Sequence, residues 1–252
     1  DWRKFAGVPP MYYPTHSTSM VLSTMPGVYA KKVVALGYSG SPRTDIYGTD
    51  GQNNYNNPFS NTVMLLELSN GGIARISENR CVGWKAPETY ISQFYGTDGG
   101  YEFSVAKHHL ARWNEDDIKN NAKTKRVVMK DVSERLQPKS VHEIVKKNYS
   151  EAIQNIADGA GFFETCPIQP TERLPKEYEG MENGHDGTHH FLIDDFCRAY
   201  DTGKLSPTNI WAVARWNIPG LTAHQSALAG GKMMDVIDLG NPPEDWEVLS
   251  YR

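Results

Sequence analysis

The stretch from Thr62 to Cys81 constrains this chain most. Thr62 to Leu68 is extended and apolar, Ser69-Asn70-Gly71-Gly72 follows, and Ile73 to Cys81 is extended again. Asn-Gly between two such segments marks a β-hairpin, because both turn residues accept positive φ. The same logic continues downstream. A strand from Thr89 to Tyr95 meets the turn Gly96-Thr97-Asp98-Gly99-Gly100. Tyr101, Phe103 and Val105 then alternate with Glu102 and Ser104, the pattern of a half-buried strand. Lys32 to Tyr38 and Lys125 to Val132 supply further strands. Residues 39–60, dense in Gly, Ser, Asn and Asp, read as a long surface loop. The middle of the chain is therefore a mainly antiparallel sheet built from hairpins.

Val63, Met64, Leu65 and Leu66 place apolar side chains on both faces of one strand. A sheet with one wet face alternates instead. Helices cover one side, so the other calls for a second copy of the chain or for the chain's own loops. The pattern favours the second copy, a homo-oligomer through the sheet face.

Helical periodicity dominates the remainder. Thr15 reads as the N-cap of a short helix that stops at Pro26-Gly27. Ser140 to Ala157 carries apolar residues at a helical period, with Ser140 and Glu143 as a capping box. A polar loop covers about residues 165 to 188. Phe191 to Tyr200 carries Asp194-Asp195 near a helix start, where negative charge suits the dipole. Pro207 to Leu228 is a long segment that Pro219-Gly220 should kink or divide. No boundary splits the chain, so residues 1–252 read as one α+β domain with a large open sheet and helices packed on one face.

Composition narrows the function classes. No apolar run among the 252 residues approaches the roughly 20 needed to span a bilayer. Lys and Arg total 26 against 30 Asp and Glu, without a basic stripe, which argues against nucleic acid. Cys81, Cys166 and Cys197 are too far apart for a CxxC site and read as reduced, mostly buried thiols. The start, Asp1-Trp2-Arg3-Lys4-Phe5, has neither an initiator Met nor a signal-peptide core, so it reads as the middle of a longer chain and leaves the compartment unknown.

No GxGxxG, Walker, GxSxG or HExxH sequence is present. Two histidine neighbourhoods remain. In Tyr12-Tyr13-Pro14-Thr15-His16, an imidazole that titrates near neutrality sits beside two phenols. It can exchange a proton with a substrate hydroxyl, and the flat rings suit a sugar. The plainer alternative is a helix-terminal histidine bonded to a carbonyl, with the tyrosines as core. In Gly184-His185-Asp186-Gly187-Thr188-His189-His190, three histidines and an acid offer a metal site, a polar substrate loop or a structural loop. The two glycines weigh against the helix a metal site needs. Lys85, beside Trp84, follows a strand and is a further substrate-binding candidate. His108-His109 read as surface, and His224 as buried, hydrogen-bonded and structural.

Three stretches together resemble the substrate domain of the Gfo/Idh/MocA oxidoreductases, the family of glucose–fructose oxidoreductase and inositol dehydrogenase. They are Pro9-Pro10-Met11-Tyr12-Tyr13-Pro14-Thr15-His16, then Gly184 to His189 running into Phe191-Leu192-Ile193-Asp194-Asp195-Phe196, then Pro219 to Gly231. The resemblance implies a C-terminal domain that binds substrate and builds oligomers. NAD or NADP would be held mainly by a Rossmann domain absent from this chain. It implies His16 as general base toward a sugar or glycoside hydroxyl, with Tyr12 beside it in the catalytic group. His185 and His189 lie in a stretch that resembles a loop near substrate in one branch of the family, while Tyr13 and Lys85 are substrate-binding candidates from their own surroundings, with packing and a solvated lysine as the plainer alternatives. The dehydrogenases of the family usually carry an aspartate where this chain has Tyr12. The Tyr-Pro-Thr-His run is instead similar to the NAD-dependent N-acetylgalactosaminidase branch, where transient oxidation is followed by elimination. A metal-dependent hydrolase built on His185, His189 and His190, and a carbohydrate-binding domain without catalysis, are the competing expectations.

Overall fold

The hairpin forms as its sequence implies. In a computed structural model, β1 (Ala30–Tyr38), β2 (Asn61–Leu68), β3 (Ile73–Asn79) and the two-residue β8 (Met234–Asp235) make an antiparallel sheet in the order β3-β2-β1-β8. The structure describes residues 1–48, 53–81, 92–103, 108–133, 173–178 and 189–250. Its contacts separate two units, Asp1–Trp84 with Arg198–Arg252, and Lys85–Cys197.

The turn between β2 and β3 differs in detail from the sequence expectation. Gly71 adopts φ 84° and donates its N–H to the Leu68 carbonyl at 3.0 Å, while Asn70 keeps negative φ and its side chain accepts from the Gly72 N–H. One left-handed residue after a tight turn suffices to reverse the chain. The register pairs Met64 with Ile76 and Thr62 with Glu78. Residues alternate strictly along β2: Thr62, Met64, Leu66 and Leu68 are buried, while Val63 and Leu65 stay 42% and 45% exposed. Both faces are apolar, and among the described residues only one is covered.

A helix covers the inner face. The segment α5 (Ile210–Leu228) packs its Ala223 and Ala227 against Val33, Ala35, Met64 and Leu66. Small residues on the helix let it lie close to the sheet. Asn209 caps it, its side chain accepting from the Ala212 N–H. Of the expected kink or division at Pro219, the division is not found, because the helix runs through it. Proline leaves one carbonyl without its helical partner. Burial of Pro219 and Gly220 against the chain's first turns offsets that loss. Where β8 ends, Ser226 on α5 takes over its edge role: its hydroxyl accepts from the Ala35 N–H at 2.9 Å and donates to the Lys232 carbonyl.

The segment expected as surface loop is tied inward in its described part. Asn53 and Asn57 are buried, and Asn57 donates to the Gly7 and Phe59 carbonyls while accepting from the Phe59 N–H. Asn53 serves Ile46, Tyr55 and Asn57 in the same way. The two side chains substitute for a missing ladder, as buried backbone groups require.

The second unit contains β4 (Ser92–Tyr95), β5 (Gly99–Phe103), β6 (His108–Trp113) and β7 (Val127–Asp131), antiparallel in that order. The class is α+β, as expected, and the described strands fall into two four-stranded sheets where one broad sheet was expected. A physical stop is visible after β3: the Asn61 side chain accepts from the N–H groups of Arg80 and Cys81 and closes the ladder. His108 corrects the surface reading. It is buried, and the Tyr101 hydroxyl lies 2.6 Å from its Nδ1.

A later helix, α4 (His189–Thr202), starts two residues before the expected Phe191. Asp194 and Asp195 therefore sit beyond the first turn, where the dipole reading placed them, and are buried. Arg173 meets Asp195 at 2.8 Å. The thiols also differ from expectation, Cys81 being half-buried and Cys197 exposed. The expected helix Ser140 to Ala157, Lys85, Cys166 and His185 lie outside the described residues. No described helix is long and apolar enough to cross a membrane.

Candidate functional site

The candidate site is built on two 3-10 turns of the first unit, Pro10–Tyr12 and Pro14–His16. Each opens on a proline, which suits a first helical position because its missing N–H would have no partner there. The expected N-cap at Thr15 is therefore a correction: Pro14 starts a tight turn there, and the helix α2 (Thr18–Leu22) follows it. Met11 and Pro14 are fully buried and anchor the turns in the core. Tyr12 and Tyr13 point outward, 37% and 48% exposed.

Gly220 sets how close α5 approaches these turns. A Cβ at that position would stand 2.2 Å from the Met11 carbonyl oxygen and 2.7 Å from the Pro14 ring. Only a residue without a side chain fits.

His16 ends the second turn and is half-buried. The Tyr13 ring stacks on it, with centroids 4.4 Å apart and planes 18° from parallel. The Thr15 hydroxyl lies 3.4 Å from its Nδ1. Tyr12 turns elsewhere and meets the ring of His224 edge-on at 5.1 Å. His224 is buried as expected, with Phe59 against it at 6.3 Å. Its Nδ1 has no hydrogen-bond partner among the described residues, which departs from the expected hydrogen-bonded role. Burial lowers the pKa of this imidazole and favours its neutral form.

Two charged residues from the end of β3 join the turn. The Ser17 hydroxyl donates to Glu78 Oε1 at 2.6 Å, and burial raises the pKa of that carboxyl. Arg80 stands 3.8 Å from Glu78 and holds its guanidinium 5.1 Å from the centre of the Tyr13 ring. The arrangement offers a partly accessible imidazole able to accept a proton, with aromatic surface beside it.

Of the residues singled out from sequence, Tyr13 and His16 come together, and Tyr12 joins His224. His189 is exposed at the start of α4 in the second unit, and neighbouring His190 meets Tyr178 at 4.9 Å. Sequence reading missed Ser17, Glu78 and Arg80. The available signal was the change from Ala74 and Ile76 to Glu78 at alternate positions of one strand, where an inward face turns from apolar to charged.

No protein-family model matches the sequence, and no curated protein matches it. Solved structures are similar to it. Levoglucosan dehydrogenase in complex with NADH and L-sorbose is 13% identical, with a TM-score of 0.50 over 95% of this chain and 54% of that one. The same enzyme in complex with NADH alone is 15% identical, again with a TM-score of 0.50 and the same coverage. An oxidoreductase from Agrobacterium radiobacter, in complex with NAD+, L-tartaric acid and magnesium, has a TM-score of 0.48 and 11% identity over 86% of this chain and 46% of that one. The chain thus spans about half the length of each structure. What it shares with levoglucosan dehydrogenase, over nearly its whole length, is the fold.

Proposed function

We propose that this chain is the substrate-binding and oligomerisation region of an NAD(P)-dependent oxidoreductase that oxidises a ring carbon of a sugar or glycoside, with His16 as general base. The carrying observation is the half-buried imidazole on a turn pinned between the core and α5, with Tyr13 stacked on it. The fold shared with a dehydrogenase solved with NADH and L-sorbose supports the same reading.

The chain's residues fit the reactive end of a nicotinamide and not its phosphates. There is no GxGxxG loop in the sequence, whereas the exposed rings beside His16 suit flat partners. When bound, NAD(P) supplies the hydride acceptor. His16 takes the proton from the substrate hydroxyl as the C–H electrons leave the same carbon, so a carbonyl forms and the imidazole carries the proton. Tyr13, with His16 on one face and Arg80 over the other, fixes the plane of that imidazole and offers its exposed edge and hydroxyl to the sugar. Lys85, His185 and His189 are assigned to the substrate's polar groups. The exposed outer face with Val63 and Leu65 is assigned to a second copy.

A second reading, transient oxidation followed by glycosidic elimination, is favoured by Tyr12. It occupies the sequence position where the resemblance implies a carboxylate, although in the structure its ring faces His224 and not His16, and a phenol serves as hydrogen-bond donor or acid but not as a neutral-pH base. The products separate the two readings. Dehydrogenation accumulates reduced cofactor with the substrate. The elimination route releases the aglycone with no net reduction and exchanges a substrate C–H with deuterated solvent. Failure of both, with no turnover of NAD(P) by the intact enzyme, would reject the proposal.

A further inference from the structure

We infer that Glu78 and Arg80 at the end of β3 form a bracket that positions the His16 ring, a role resting on the reading of His16 as base. Neither residue lies in a sequence motif, and only the charge on the inward face of β3 marks Glu78. Both reach residue 16, by different routes.

The first route runs through the backbone. Ser17 follows His16 directly, and its hydroxyl donates to Glu78 Oε1 at 2.6 Å. Thr62, the residue opposite Glu78 in the β2–β3 register, is buried, so the carboxyl lies at the inner face of the sheet, and its side chain is only 13% exposed. A carboxyl this sheltered is costly for stability alone. Its single short bond goes to the turn that carries the imidazole. The second route runs through the rings. Glu78 holds Arg80 at 3.8 Å, Arg80 places its cation 5.1 Å from the Tyr13 centroid, and Tyr13 stacks on His16 at 4.4 Å. The guanidinium is drawn to the ring's negative face and limits how far the phenol swings.

The two routes restrain different freedoms. The Ser17 bond fixes where the turn sits relative to the sheet. The Arg80–Tyr13 stack fixes the plane of the imidazole about its own side-chain torsion, which is otherwise broad. A reacting group has to be held within about 0.5 Å and 10–20° of its working geometry. The chain just past β3, where the Arg80 N–H donates to the Ser60 carbonyl and to the side chain of Asn61 at the start of β2, is a rigid place from which to do this.

The test uses the full chain with 13C- and 15N-labelled histidine. The His16 ring signals in the parent carry the ring-current displacement of a stacked phenol, and Tyr13→Leu marks their position without it. Glu78→Ala and Arg80→Met are expected to move these signals toward the Tyr13→Leu position. Glu78→Gln, which keeps an acceptor for Ser17, and Arg80→Lys, which keeps the cation, are expected to retain most of the displacement. Unchanged backbone amide signals from Met64 to Leu68, read in uniformly 15N-labelled samples of the same variants, check the fold. His16 signals that stay in place in both Glu78→Ala and Arg80→Met overturn the bracket. In the intact enzyme the same two variants are expected to lose about 10- to 100-fold in kcat, with cofactor affinity unchanged. Moved signals with unchanged turnover leave the bracket standing and reject His16 as the base.

Discussion

Gly220→Ala is the substitution that most sharply separates packing from chemistry in this protein. The added methyl would lie 2.2 Å from the Met11 carbonyl oxygen and 2.7 and 2.8 Å from two carbons of the Pro14 ring. Ordinary contact begins near 3.4 Å, so the Met11 gap falls short by about 1.2 Å. Neither neighbour is the free end of a flexible side chain: one is backbone and the other a buried proline ring. The turn and α5 therefore separate by roughly 1 Å, and His16 moves with Pro14. Overpacking of this kind costs about 1–3 kcal/mol. Alanine returns about 1 kcal/mol through helix propensity. The net loss is about 0–2 kcal/mol, a few degrees in Tm for a chain of this size. A displacement of about 1 Å at the reacting group costs on the order of 100-fold in rate. The expected result is a modest Tm shift with a near 100-fold drop in kcat in the intact enzyme, and cofactor affinity unchanged. Gln225→Gly, at an exposed position of the same helix, gives a similar stability loss of about 1 kcal/mol and should leave turnover within a few-fold. The reasoning fails if Gly220→Ala turns over normally, or if Gln225→Gly is as damaging.

Asn57→Ala should destabilise the first unit by about 2–4 kcal/mol, read as a lower midpoint in urea, because it removes three side-chain hydrogen bonds, one buried and two partly buried, and strands the Gly7 and Phe59 groups; a loss under about 0.5 kcal/mol contradicts this. The buried imidazole of His224 gives a pH signature. Its pKa is lowered in the folded protein, so its contribution is fully present above the unfolded value near 6.5 and is lost as pH falls through the folded value. His224→Gln should therefore flatten the loss of Tm on acidification below about pH 6.5, and parallel curves for the two proteins would reject the assignment. Light scattering should give a dimer or larger species through the exposed Val63 and Leu65 face, whereas a monomer at high concentration argues against a second copy there.

What the sequence revealed follows the physics of each element. The β2–β3 hairpin and the strand preceding it were legible because short apolar, β-branched runs and an Asn-Gly turn are local signals. The helix α5 was legible as helix, but its continuity through Pro219 was not. Tertiary packing against the Pro10 and Pro14 turns decides it, and no local rule contains that packing. The Asn53 and Asn57 loop read as surface because polar composition does not reveal whether side chains bond solvent or backbone. At the candidate site, Tyr12, Tyr13 and His16 stood out because they are contiguous. Glu78 and Arg80 did not, since about 60 residues of chain separate them from the turn they hold. Pairing between distant segments is what sequence pattern alone leaves open.

The most direct measurement is single-turnover hydride transfer in the intact enzyme, parent against His16→Gln, with NAD(P) and a panel of sugars and glycosides. The expected result is that the substitution removes most of the reduced cofactor formed in the first turnover while dinucleotide binding is unchanged. Hydride transfer at near-parental rate in His16→Gln would contradict the assignment of the imidazole as the proton acceptor.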